Sequence, residues 1–268
     1  MLTKQIKKAT FIGSLVLKLI MMKKIYLLFT VFCFFNSAVY SQSKKSVAGH
    51  VVYKFMQNQR DSTKQKNEFD KLNDELMRQS KGIIFNLKFK GKKSYFYIDE
   101  SLENDVSPMG HSHAKVVVSG GNYLTDLQNQ TVIRQTDSFG EQFLVTSNTQ
   151  SSSDWTLTKE TKMIGKYKCY KAYKTKTIVN PAKKFTFNII AWYTPQIPVN
   201  FGIKEFNNLP GLILELQDSH FTFYVYKIKF LSEDQVEIPI LKGEKITEVE
   251  YQKKVEKASG FIMLDNKN

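Results

Sequence analysis

Apolar residues recur at every second position along most of this chain. Over residues 82–90, Ile83, Phe85, Leu87 and Phe89 alternate with Ile84, Asn86, Lys88 and Lys90, the period of a half-buried strand. Gly91-Lys92-Lys93 turns this segment into a partner over 94–99, as a hairpin. The same reading gives strands at 46–56, 115–119, 122–126, 131–135, 141–146, 154–159, 166–176, 185–193, 212–216 and 221–231. Gly120-Gly121 is expected to join two of them as a second hairpin. Many strands at short spacing predict a mainly β protein, a curved antiparallel sheet that is either a half-barrel or barrel-like.

Two stretches break the period and predict flanking helices. Residues 67–79 carry Phe69, Leu72 and Leu76 at helical spacing. Residues 245–258 are a second candidate, ending before Gly260. In 221–231, Phe221, Phe223 and Val225 share one face, while Tyr224, Tyr226, Ile228 and Phe230 take the other. Apolar residues on both faces predict a strand covered on both sides. The cover is either a filled core or an apolar ligand cavity inside the curved sheet.

The N-terminus departs from this pattern. Lys23-Lys24 precedes an apolar run of about a dozen residues, and Asn36 to Ser41 supplies small residues before Gln42. That is a signal peptide, and the run is short of the roughly 20 residues a membrane-spanning helix needs, so no transmembrane anchor is expected. The natural start is then Met21 or Met22, with 1–20 an over-extended beginning. Residues 42–268 are expected to form one β domain, exported to the periplasm or cell exterior.

Removing the leader changes the charge. The whole chain holds 39 basic and 25 acidic residues, a net of +14; residues 1–41 carry six of the lysines and no acid, leaving 33 against 25, or +8. In sequence these charges are spread out, which permits weak attraction to anionic glycans or lipid headgroups but excludes a nucleic-acid footprint. Cys33 leaves with the leader, so Cys169 is alone and is expected to be a buried small apolar residue rather than a reactive thiol.

Candidate chemistry is sparse. Met109-Gly110-His111-Ser112-His113 places two imidazoles two positions apart on an expected extended loop, where His111 and His113 could face a metal; a solvated loop is the plainer reading. Asp99, Glu100, Glu103 and Asp105 make an acidic loop without the oxygen spacing of an EF-hand. There is no Gly-x-Ser-x-Gly elbow, and Asp218-Ser219-His220 reads as a hairpin turn. No catalytic residue and no cofactor is assigned, and the chain is not expected to be an enzyme.

One region is more specific. Phe185 to Tyr193 reads as a strand that ends at a proline, and Pro195 and Pro198 stiffen the segment beyond it. Pro210-Gly211 fits the centre of a type II turn, from which Leu212 starts a new strand. The block Ala191-Trp192-Tyr193-Thr194-Pro195-Gln196-Ile197-Pro198 and the run Asn208-Leu209-Pro210-Gly211-Leu212-Ile213 follow Trp155-Thr156-Leu157 and the segment from Lys162 to Ala172. In that order they resemble the GLPGLI family of Bacteroidetes envelope proteins, with Asn208 in place of the leading glycine and Ile203 after Gly202 where the family has Gly-Pro and an aromatic. The resemblance implies a role at the envelope beside outer-membrane proteins, with Trp192, Tyr193, Pro195, Pro198, Leu209, Pro210, Gly211, Leu212 and Ile213 architectural or rimming a binding surface. A fold-level similarity to lipoprotein-carrier half-barrels gives the alternative, a carrier of an apolar ligand; a metal-binding protein or hydrolase is the weaker one.

The mature protein is expected to begin at or near Gln42. N-terminal sequencing of envelope material checks this, and an intact Met1 on a cytoplasmic protein would contradict it.

Overall fold

Twelve of the chain's segments pair into a single sheet. The structure, a computed structural model, describes residues 21–24, 47–59, 68–99, 107–149, 154–179 and 184–265. The strands are β1 (Ala48–Gln57), β2 (Phe85–Lys90), β3 (Lys93–Ile98), β4 (Asn122–Asp126), β5 (Thr131–Ser138), β6 (Glu141–Asn148), β7 (Thr156–Ile164), β8 (Tyr167–Val179), β9 (Lys184–Thr194), β10 (Leu212–Gln217), β11 (Phe221–Leu231) and β12 (Glu244–Thr247). Their order is β12-β6-β5-β4-β3-β2-β1-β11-β10-β9-β8-β7. Every pair is antiparallel except β12, which lies parallel to β6. The sheet is therefore mixed and open, with β12 and β7 at its edges. The first strand pairs with the second-last, Ala48 opposite Leu231 and Gln57 opposite Phe221.

Register puts the apolar positions on one face. Tyr53 is opposite Phe85, Val51 opposite Leu87, and Phe85 and Leu87 are opposite Ile98 and Phe96. On the other flank Phe55 faces Phe223, and Leu216 faces both Phe223 and Ala191. All of these are buried except Phe55, which is half-buried against the core. Phe85 stacks on Phe96 with centroids 5.6 Å apart and meets Phe223 edge-on at 5.3 Å, geometries that add to simple area burial. The buried Tyr53 hydroxyl donates to the Ile213 carbonyl at 2.7 Å, as a buried polar group must find a partner.

Three helices flank the sheet: α1 (Glu68–Gln79), α2 (Pro108–His113) and α3 (Glu248–Asp265). The first matches the expected span, but Leu72 is 56% exposed, and Met77 packs against the core. The helix docks through its C-terminal end, where Ser80 donates to the Gly110 carbonyl at 2.9 Å. A Cβ on Gly110 would lie 2.2 Å from the Gln79 carbonyl oxygen, so only glycine lets α1 and α2 approach this closely.

Three expectations are corrected. Residues 115–119 are not a strand: Ala114–Ser119 continues α2 as a π-helical turn. Ser107 caps Gly110 N at 3.0 Å and Pro108 sits at the first helical position, a helix start that overrides the β-branched run Val116-Val117-Val118. The last helix begins at Glu248 because 244–247 join β6 as a strand, and it runs through Gly260. Thirdly, among the described residues β11 is covered on one face only: Phe221 and Phe223 are buried, while Tyr226 on the other face is 63% exposed. An irregularity between Tyr53 and Val52 leaves Tyr226 unpaired between Val225 and Lys227, a bulge that changes the facing of the residues beyond it.

Ser46–Asn268 forms one compact unit, distinct from Met1–Lys45. Most of the proposed leader lies outside the described residues. No helix among the described residues is long and apolar enough to cross a membrane.

Cys169 is fully buried, and its thiol donates to the Tyr167 carbonyl at 3.6 Å. Burial pushes the thiol up to about 11, because a thiolate there would be poorly solvated. Native protein should resist thiol-labelling reagents and label fully once denatured. The unfolded thiol ionises first as pH rises, so the contribution of Cys169 to stability should be intact at neutral pH and fall between about 9 and 11. Denaturation curves of wild type and Cys169→Ser across that range check the sign.

Candidate functional site

The segment between β9 and β10 is not a surface loop. Ile197, Val199, Phe201, Ile203, Phe206 and Leu209 are all buried. The turn out of β9 closes through Ile197 N donating to the Thr194 carbonyl at 3.3 Å, across Pro195-Gln196. Two γ-turns come next: Val199 N donates to Ile197 O across Pro198, and Gly211 N donates to Leu209 O across Pro210, each at 2.8 Å. The return is tied to β10 by Leu212 N to Ile197 O at 3.1 Å and Ile213 N to Phe201 O at 3.2 Å.

The expected type II turn is thus replaced by a tighter one. Gly211 has φ of +152°, and a Cβ there would fall 2.2 Å from the Thr194 carbonyl oxygen. Asn208 takes a left-handed φ of 66°, which asparagine tolerates, and its amide donates to Thr149 O at 3.1 Å. Asparagine therefore fills a glycine-like position and adds a tether. Of the strand residues in the motif, Tyr193 is buried beside Tyr170, while Trp192 is half-buried on the opposite face beneath Lys162 at 4.4 Å.

This buried segment delivers Glu205 and Phe206 to a cleft of about 720 Å³. Tyr123, Val132, Arg134 and Ser147 line it from β4 to β6, and Lys174 to Thr177 line it from β8. Six strands separate these two groups in the sheet order, so the sheet wraps round and the lined face is concave. From α3, Glu248, Tyr251 and Val255 close one side.

The cleft is charged. Lys176 donates to Glu205 at 3.0 Å, and Arg134 donates to both Glu248 carboxylate oxygens at 3.3 and 3.4 Å. Burial would raise the Glu205 pKa, but Lys176 and Lys204 more than offset it and hold the carboxyl below its ordinary range. Glu205 in turn holds Lys176 up. Arg134 also lies 4.7 Å from the Tyr251 ring. Lys174 is half-buried, 5.6 Å from the Trp155 ring and 6.0 Å from that of Phe206, and burial pushes its pKa down against the pull of Asp154 and Glu205. Arg134, Lys174 and Lys176 thus face Asp154, Glu205 and Glu248 across aromatic walls.

The histidine pair is arranged differently from the sequence expectation. His111 and His113 stand on helix α2, not an extended loop, and positions i and i+2 on a helix do not face one another. His111 Nε2 is 3.3 Å from the Asp99 carbonyl oxygen. His113 is buried with Nδ1 3.0 Å from Ser80 Oγ, and burial holds it below the usual imidazole range. No group of three His, Cys, Asp or Glu residues with metal-holding geometry occurs among the described residues; Glu100, Glu103 and Asp105 lie outside them. Asp218-Ser219-His220 does form the β10–β11 turn, with Asp218 Oδ1 accepting from His220 N and Phe221 N at 2.8 Å.

The cleft residues escaped the sequence reading because they come from distant segments. One signal was available: Lys174 and Lys176 recur at period two in β8, in line with Ala172, which is the core-facing phase of that strand.

Residues 180–215 match a family described as "Protein of unknown function (Porph_ging)", a span that includes the buried segment with Glu205 and Phe206. No curated protein matches the chain in sequence. Among solved structures the chain is similar to PNGF-II in two crystal forms, with TM-scores of 0.47 and 0.46 at 14% and 13% identity. Each likeness covers 77% of this chain and 32% of the other, so the chain spans about a third of PNGF-II.

Gly211→Val should destabilise the protein by roughly 2 kcal/mol or more, since a β-branched side chain meets both positive φ and a backbone oxygen there. Asn208→Gly should stay within about 1 kcal/mol of wild type, losing one hydrogen bond while relieving left-handed strain. Paired denaturation curves distinguish this from a surface motif, for which the two changes would cost similar small amounts.

Proposed function

We propose that this is an exported, non-catalytic binding or accessory protein of the GLPGLI type, acting beside outer-membrane proteins in the periplasm or at the cell exterior. Its concave cleft takes a small polar ligand that carries an acidic group. The observation that carries this reading is the convergence of Arg134, Lys174 and Lys176 with Tyr123, Phe206 and Tyr251 on one cavity. The family-matched segment supplies part of its wall.

Two observations favour polar binding over the alternatives. The concave apolar face, where a half-barrel carrier would hold its ligand, is filled by Ile197, Phe201, Ile203 and their neighbours. The cleft carboxylate Glu205 is held ionised by Lys176 and Lys204, which suits it to positioning charge and not to donating a proton at neutral pH.

Native mass spectrometry of mature protein, gently purified from envelope material, is the test. A small acidic adduct should be retained by wild type and lost from a folded Arg134→Gln/Lys174→Gln variant. A retained acyl lipid would favour the apolar carrier instead. Absence of any retained adduct, together with no thermal stabilisation by a panel of carboxylated sugars and amino acids, would count against the cleft as a ligand site.

A further inference from the structure

The sheet's other face gathers charge that the sequence spreads out. Strands β3, β2, β1 and β11 are adjacent at the centre of the sheet, and none of them contains an aspartate or glutamate. They carry Lys54, Lys88, Lys90, Lys93, Lys227 and Lys229. Register places all six opposite the core face. Phe85, Leu87, Phe89 and Val51 point inward, so Lys88 and Lys90 point outward, and Lys229 and Lys88 both sit beside outward His50. Lys54 lies opposite Tyr224, and Lys227 opposite Val52.

Tyrosines are interleaved with these lysines. Tyr95 and Tyr97 stack with centroids 4.8 Å apart, and Lys88 Nζ lies 5.5 Å from the Tyr97 ring. The β11 bulge brings Tyr226 alongside, 4.0 Å from Lys54 Nζ. Of the acids on the flanking strands, Asp126 of β4 pairs with Lys93 at the edge of the patch at 3.5 Å, and Glu215 of β10 pairs with Lys162 outside it at 2.7 Å. Asp74 of α1 approaches one end beside Arg78 and Lys81.

We infer that this convex face is a docking surface for a linear acidic polysaccharide. A contiguous field of one sign across four strands selects an anionic partner and speeds its approach. The face is convex because the sheet wraps around the cleft behind it. A flat lipid surface would touch such a face along a narrow strip, whereas a flexible chain can follow its curvature. The tyrosine rings between the lysines offer apolar platforms with polar tips, suited to sugar rings that carry carboxylates at regular spacing. The surface is separate from the cleft, and its failure would leave the cleft reading intact.

The test uses mature full-length protein and polygalacturonate in isothermal titration calorimetry at low and physiological salt. A Lys54→Gln/Lys88→Gln/Lys227→Gln/Lys229→Gln variant is compared with a charge-matched control, Lys242→Gln/Lys245→Gln/Lys253→Gln/Lys257→Gln, after both are shown to melt like wild type. The patch variant should lose about tenfold or more in affinity, and the control much less, with the salt dependence shrinking only in the patch variant. Tyr97→Ser should weaken polygalacturonate binding while leaving polyglutamate binding unchanged. Equal losses in the two quadruple variants, or no binding by wild type, would overturn the proposal. Tighter binding to phosphatidylglycerol vesicles or to polyglutamate than to polygalacturonate would overturn the choice of partner.

Discussion

The architecture depends on the filling of its own concavity. An open sheet of this curvature leaves an apolar hollow, and a hollow lined by Phe85, Leu87, Phe96 and Phe223 must be occupied if close packing is to be kept. The chain fills it with its own backbone between β9 and β10. Doing so buries peptide groups that need partners, and the tight turns answer that need. Pro198 and Pro210 each remove a donor and sit at the centre of a γ-turn, while Asn200 Nδ2 donates to the Leu209 carbonyl at 2.7 Å and Trp155 Nε1 to the Asn207 carbonyl at 3.0 Å. The Leu-Pro-Gly motif is therefore the end of an internal strut, and the steric wall around Gly211 is the cost of bringing that strut back into β10 without slack.

The strut also links the motif to the cleft. Ile203 and Phe206 anchor the segment in the core while Glu205, between them, points at Lys176. A residue whose neighbours on both sides are locked by packing is held in position with little loss of side-chain freedom on binding. That preorganisation distinguishes the cleft from a chance concavity between surface side chains.

Legibility from sequence followed the range of the interactions. Strand positions were readable because alternation is local: β11 matches its expected span to the residue, and the 82–99 hairpin forms as its Gly91 turn implied. Errors arose where a nearby start signal or a distant partner decided the outcome. Ser107-Pro108 made Val116 to Val118 helical, and β6 recruited 244–247 into the sheet. Both aromatic faces of β11 suggested two-sided burial, yet the Tyr226 bulge and the lysines opposite leave one side in solvent. The cleft was invisible for the same reason: Arg134, Lys176, Glu205 and Glu248 meet only because the sheet wraps. Net charge, likewise, gave no hint that six lysines would share four adjacent strands, since adjacency there is set by strand order and not by sequence.

The place of β1 in that order has a temporal meaning. Both of its neighbours are needed to bury Val51 and Tyr53, and one of them is β11. A chain emerging N-terminus first can form the β2–β3–β4 meander early, but the centre of its sheet stays split until Leu231 has appeared. Long loops must be closed before that pairing is rewarded, which makes such topologies slow to fold. The two halves of the sheet are therefore sealed by its longest-range pairing, and any change that weakens β1 against β11 leaves two unpaired edges at the centre of the core instead of one at its rim.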